Sequence, residues 1–194
     1  MYNNWKYIVT EHEPEDKELS HIIVIFPRQM VHADVSFALE HCESVCFDSS
    51  YPVGAGFLDI DRGGMLCYGK SESLDVDSRD PLDSNLLTNT ISYQYLVFPY
   101  TDSAGYKFEY PVIFSLEVSP AEFANEIMLM PDFRKNISAP VRGGKVQFCQ
   151  DMIYCTDSIP ELNIESSFSD GTYIDHKGGI QFNSGLFLVA KPEK

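Results

Sequence analysis

The residues best equipped for chemistry fall in a few short clusters. His41 and Cys42 adjoin, with Cys46 close behind. The trio could offer three ligands to zinc, but a closed zinc site takes four and no second ligand pair accompanies them. Cys is also among the most buried residue types, so the expectation is that no metal binds here. His32 opens a predicted helix, where it could serve as a base, a cap or a surface residue. Asp59 and Asp61 flank Ile60 and therefore share one face of a strand. Such a pair can hold a cation or move a proton, though a solvated strand face explains it as well. Asp175-His176 is an acid–base pair with no nucleophile in view. Cys149 and Cys155 flank a tight turn and would face each other across a hairpin. Five cysteines at irregular spacing do not read as a disulfide scaffold, and in a reducing compartment they stay free.

No motif names an enzyme: there is no nucleophile elbow, zinc-protease helix, paired CxxC or dinucleotide-binding glycine fingerprint, and Gly64–Ser71 ("GMLCYGKS"), which meets the GxxxxGK[ST] spacing, reads as the return strand of a hairpin and not as a loop opening a helix. The expectation is a protein with no catalytic residues and no cofactor, and the chemistry then lies in its charge. The chain has 29 acids against 14 Lys and Arg, a formal net charge of −15. That disfavours nucleic acid and anionic membranes and favours a basic protein partner.

Two segments concentrate the acids. Glu72, Asp75, Asp77, Asp80 and Asp83 crowd one stretch with Arg79 as its single base, and Asp151–Asp175 contains Glu161, Glu165 and Asp170 with no Lys or Arg. Either could face a basic groove or be an ordinary solvated loop. In the opposite sense, "FRKNISAPVRGGK" gathers Arg134, Lys135, Arg142 and Lys145. Gly143 and Gly144 there would let backbone N–H groups approach an anion. This loop is the candidate for a phosphate or nucleotide, and it could equally pair with the chain's own acids.

The elements that position these groups come twice. Shifting the sequence by 88 lays "WKYIV" (5–9) on "YQYLV" (93–97) and Val24-Ile25-Phe26 on Val112-Ile113-Phe114. The same shift matches Ala33 with Ala121, Pro52-Val53 with Pro140-Val141, Gly56 with Gly144, Cys67 with Cys155 and Leu74 with Leu162. Each copy reads as strand, strand, helix, hairpin. "HIIVIF" and "EYPVIF" are apolar on both faces, as buried central strands are. Ser119-Pro120-Ala121-Glu122 starts the second helix, with a Ser cap, Pro in the first turn and Glu three residues on. Phe123, Ile127 and Met130 share one helical stripe, as do Val35, Leu39 and Cys42. Ala124, Met128 and Leu129 are apolar where the first helix has polar residues, which predicts a second helix buried on more sides.

The expected fold class is α+β: a tandem duplication of a ββαββ unit, with antiparallel sheets each covered by one helix in a pseudo-twofold arrangement. Residues 1–88 form the first repeat with its acidic linker. Residues 89–194 form the second, extended by a C-terminal hairpin around Lys177-Gly178-Gly179. No apolar run approaches the ~20 residues that span a bilayer. The N-terminus lacks a secretory signal, so the expected place is a cytoplasm.

The stretches "VIFPRQMVHADVSFAL" and "PVGAGFLDIDRGGMLCYGKSESLDVDSR" resemble small proteins encoded by phages and plasmids of proteobacteria. The resemblance covers about half the chain and carries no activity with it. It implies a setting among mobile-element genes, many of which act against host defence or regulation. The expected function is a non-enzymatic acidic protein, in the host cytoplasm, that inhibits a host defence or nucleic-acid-handling complex by binding it. The alternative is a nucleotide or small-molecule binder or hydrolase built on Arg142 and Lys145.

Overall fold

The computed structural model describes residues 5–12, 19–45, 50–61, 64–90, 92–131, 136–149, 152–156, 159–162, 172–174, 180–182 and 187–188. The first half contains β1 (Trp5–His12), β2 (Ser20–Pro27), α1 (His32–Glu40), β3 (Ser50–Asp61) and β4 (Gly64–Tyr68). The short strands β5 (Lys70–Ser71) and β6 (Val76–Asp77) follow, then α2 (Leu82–Asn89). The second half contains β7 (Ser92–Thr101), β8 (Lys107–Phe114), α3 (Pro120–Leu129), β9 (Arg142–Cys149) and β10 (Met152–Thr156). A 3₁₀ turn (Pro160–Leu162), β11 (Thr172–Ile174), β12 (Ile180–Phe182) and β13 (Phe187–Leu188) complete it.

The fold is α+β; β5 and β6 pair with each other apart, and, on a point where the sequence is silent, the other eleven strands, from both halves, make one continuous sheet. Its order is β13-β12-β11-β10-β9-β7-β8-β2-β1-β3-β4, antiparallel in every recorded pairing. The halves join at β2 and β8, where Val24 faces Phe114 and Ile25 faces Ile113. Two exposed edges are thereby consumed by pairing with each other.

Registers in the two halves coincide. Trp5 pairs with Leu58 and Tyr93 with Val146; Tyr7 pairs with Gly56 and Tyr95 with Gly144. Phe57 pairs with Tyr68, and Lys145 with Thr156. Loop hydrogen bonds follow suit: Met30 N–H reaches Pro27 O and Val118 N–H reaches Ser115 O, while Cys42 N–H reaches Leu39 O and Met130 N–H reaches Ile127 O.

Strand alternation sends side chains to two cores. On one face α1 and α3 lie over Ile8, Val24, Phe26, Leu96, Phe98 and Phe114. On the other, Trp5, Tyr7, Ile25, Tyr93, Tyr95 and Ile113 form a second cluster with Leu87 of α2. The strand "HIIVIF" is thus buried on both faces, with Ile22 and Val24 in one cluster and Ile23 and Ile25 in the other. The helix stripes face inward as expected: Phe123, Ile127 and Met130 are buried, and so are Val35 and Leu39. The wider burial expected of α3 holds for Ala124 but not for Leu129, which is 66% exposed.

Residues 73–92, expected to be only a linker, contain β6 and α2. Three polar residues on α2 explain its docking. Ser84 Oγ and Thr88 Oγ1 accept the outward N–H groups of Cys67 and Met65 on the edge strand β4, at 2.9 and 3.0 Å. Asp83 is fully buried against β1 and β3. The C-terminal hairpin is present as β11 and β12, with Ile174 opposite Ile180, and its turn lies outside the described residues. In the β9–β10 hairpin Cys149 stands opposite Met152 and Cys155 opposite Val146, so the two cysteines are not cross-strand partners.

Candidate interaction surface

Helices α1 and α3 carry no Lys or Arg, while Lys6, Arg28 and Lys145 stand on the same side of the sheet. There is no Lys or Arg from Gln29 to Asp61, nor from Phe108 to Phe133, spans that include all of α1 and α3. Asp34, Glu40 and Glu43 belong to the first span, and Glu117, Glu122 and Glu126 to the second.

The two helices are clasped by Ser44. Its hydroxyl accepts the Ser119 N–H at 2.9 Å, and its own N–H donates to Glu122 Oε2 at 2.8 Å. Ser119 Oγ caps Glu122 N–H in turn. The expected capping pair on α3 is therefore completed by a residue from the loop after α1. This clasp brings Glu122 and Glu126 to the α1 C-terminus, where burial first, then those two carboxylates, push the Cys42 thiol up to about 12. Cys42 hydrogen-bonds Ala38 O, and His41 Nδ1–H donates to Phe37 O. Cys46 lies outside the described residues. Among the described residues no three His, Cys, Asp or Glu gather as a metal site, and no helix is long and apolar enough to cross a membrane.

The first acidic segment flanks α1. Its β5–β6 hairpin is pinned by Leu74 and Val76, which pack on the helix-side core, and by Ser73 Oγ, which accepts the Ala33 N–H at the start of α1. Glu72, Asp75, Asp77 and Asp80 remain exposed. Asp75 pairs with Lys70 in solvent, and the contact holds its carboxyl below the usual range. Ser84 donates to Asp80.

Asp83 does not belong with them. It accepts Tyr7 Oη–H at 2.9 Å, Arg79 N–H at 2.9 Å and Arg79 Nε–H at 2.9 Å. Arg79 continues to Glu11 at 3.2 Å, and Glu11 to His21 at 3.4 Å. A buried charge is tolerable only when paired in this way. Burial also raises the Tyr7 hydroxyl well above its ordinary value. Asp83 is thus an interior anchor and not a partner contact. The Arg79–Asp83 spacing of i, i+4 was the available signal, and Gly54 was the other: a Cβ there would collide with the Asp83 carboxylate.

The second acidic segment is described at Glu161, which is exposed in the 3₁₀ turn beside α3. Its neighbours Ile159 and Leu162 pack on the same helix-side core. Glu165, Asp170, Asp175 and His176 lie outside the described residues, as do Arg134 and Lys135. The anion candidate does not assemble from what remains. Lys145 pairs across the sheet with Gln94, and Arg142 with Val97. Those registers place the two cations on opposite faces of β9, so a single phosphate does not bridge them.

His32 is buried and donates from Nε2 to Gly56 O at 3.0 Å, since a carbonyl can only accept. Burial, partly opposed by that carbonyl and reinforced by Lys6, pushes its pKa down to about 4. Its ring meets Phe26 and Phe57 edge-on. It is a neutral core residue. Asp59 is half-buried beside Tyr68, and the Asp61 side chain lies outside the described residues. No family model, curated protein or solved structure matches this chain.

Proposed function

We propose that this chain is a tandem duplication of a ββαββ unit that works as a non-enzymatic acidic interaction protein. Its partner is a basic protein groove of the kind that otherwise holds nucleic acid. The observation that carries this reading is the common anchoring of Leu74 and Leu162. These residues, 88 positions apart, fix the two acidic segments to one apolar layer, on either side of helices that lack any Lys or Arg. Carboxylates spread over one rigid face are complementary to a basic groove. The coincident strand registers and loop hydrogen bonds support the duplication, with a pseudo-twofold axis near the Ile25–Ile113 pair.

The resemblance of residues 24–39 and 52–79 to phage and plasmid proteins supports a mobile-element setting. In that setting the partner is a host defence or nucleic-acid-handling complex in the host cytoplasm, inhibited by occupancy of its groove. The test is capture from a proteobacterial lysate by the wild-type chain and by a variant carrying Asp75→Asn, Asp77→Asn, Asp80→Asn and Glu161→Gln. A specific partner should be retained by the wild type, lost by the variant and displaced by duplex DNA. A partner held equally by both and indifferent to DNA would reject the reading.

A further inference from the structure

A cleft of about 350 Å³ opens where the 3₁₀ turn, the start of α3 and strands β7 and β9 meet. Leu116, Ile159 and Pro160 give it apolar walls, and Glu117, Glu161 and Lys145 supply its charges. None of these three charged groups makes an ion pair among the described residues.

The corresponding place in the first half is filled. Lys145 is replaced there by Phe57, Pro120 by His32 and Glu161 by Ser73. His32 is packed between Phe26 and Phe57, Arg28 lies 5.3 Å over the Phe57 ring, and Ser73 closes on Ala33. The same scaffold position is thus plugged by aromatic rings in one half and open, with two carboxylates, in the other.

We infer that this cleft receives an arginine side chain of the basic partner. The inference rests on the acidic-interaction reading above. Two carboxylates against one ammonium leave the lining net negative, which selects a cation. The apolar walls suit a hydrocarbon stem, and a guanidinium can fork onto a carboxylate where an ammonium makes only a point contact.

The test needs no partner. The full chain, labelled with ¹⁵N, is titrated with N-acetyl-arginine amide, and in parallel with the neutral isostere N-acetyl-citrulline amide. Saturable shifts are expected for the amides of Leu116–Val118 and Gly144–Lys145 with the arginine amide alone. Glu117→Gln with Glu161→Gln should weaken it about tenfold. Lys145→Phe with Pro120→His, which transplants the first half's plug, should abolish the shifts; Lys145→Phe alone serves if the double variant melts early. Absence of saturation in the wild type, equal response to citrulline amide, or undiminished binding in the plugged variant would overturn the inference. Those outcomes leave the acidic-interaction reading standing if partner capture still depends on Asp75, Asp77 and Asp80. Loss of that dependence with arginine binding intact would instead reject the broader reading.

Discussion

Ile25 and Ile113 face each other across the β2–β8 seam, and both are fully buried. They are also the pair that the 88-residue shift maps onto each other, so the two halves meet at equivalent positions. A seam of this kind uses one edge strand from each half and leaves the outer edges, β4 and β10, to be managed separately. Strand β10 is continued by β11, β12 and β13, whereas β4 is closed by α2. The two halves end differently because each answers the same edge problem in its own way.

Removing the hydroxyls that close β4 tests that account. Ser84→Ala with Thr88→Val should cost about 1–3 kcal/mol for each N–H left without a partner. Hydrogen exchange at the Met65 and Cys67 amides should accelerate beyond the global loss, and the variant should associate as concentration rises. Exchange at those two amides no faster than at neighbouring strand amides would show that α2 is not their protector.

Asp83 should behave as an interior anchor. Asp83→Ala takes one carboxylate from Arg79, which keeps Glu11, and one acceptor from Tyr7, which keeps Ser78, and should cost about 1.5–3 kcal/mol in urea unfolding. Gly54→Ala should also destabilise, because its methyl group would strike the Asp83 carboxylate. In the Asp83→Ala background the Gly54 change should lose most of its cost, a coupling that a double-mutant cycle reads directly. Additive costs would place the Gly54 constraint elsewhere.

His32 predicts a pH dependence of fixed sign. Its folded pKa of about 4 lies below the ordinary value of 6.5, so the unfolded chain binds the proton first. Stability from this residue is full above about pH 6.5 and is lost as pH falls towards 4. In NMR titration the His32 ring resonances should stay at their neutral positions down to about pH 5. The His32→Gln variant should lack that part of the acid slope. A midpoint near 6.5 would contradict a buried neutral ring.

Much of the frame was legible in sequence because it depends on local pattern. The 88-residue shift locates paired strands and the helices α1 and α3, and the Ser119-Pro120 start and the Phe123–Ile127 stripe follow from capping and helical spacing. The merging of the strands into one sheet was not legible, since nothing local to Ile25 or Ile113 tells a buried strand from a seam. The α2 helix is not legible in the sequence because only two of its residues, Leu86 and Leu87, join the apolar core; it docks through Asp83, Ser84 and Thr88, polar groups whose partners are distant in sequence. Counting charge placed Asp83 with Asp75 and Asp77, but burial separates them. Strand parity sets Arg142 and Lys145 on opposite faces of β9, which a spacing of three already implied, while Arg134 and Lys135 lie outside the described residues.

The central claim is that the exposed carboxylates of the two acidic segments carry partner binding. The most direct measurement is the dissociation constant of the captured partner across an ionic-strength series, for wild type and for the Asp75→Asn, Asp77→Asn, Asp80→Asn, Glu161→Gln variant. Exposed pairs contribute about 0.2–1 kcal/mol each, so the four together should weaken binding by about fourfold to several hundredfold at low salt. The wild-type affinity should fall as salt rises and the variant should respond less, with both chains unfolding at similar temperatures. Affinity that is equal in the two proteins and flat across the salt series would contradict the account.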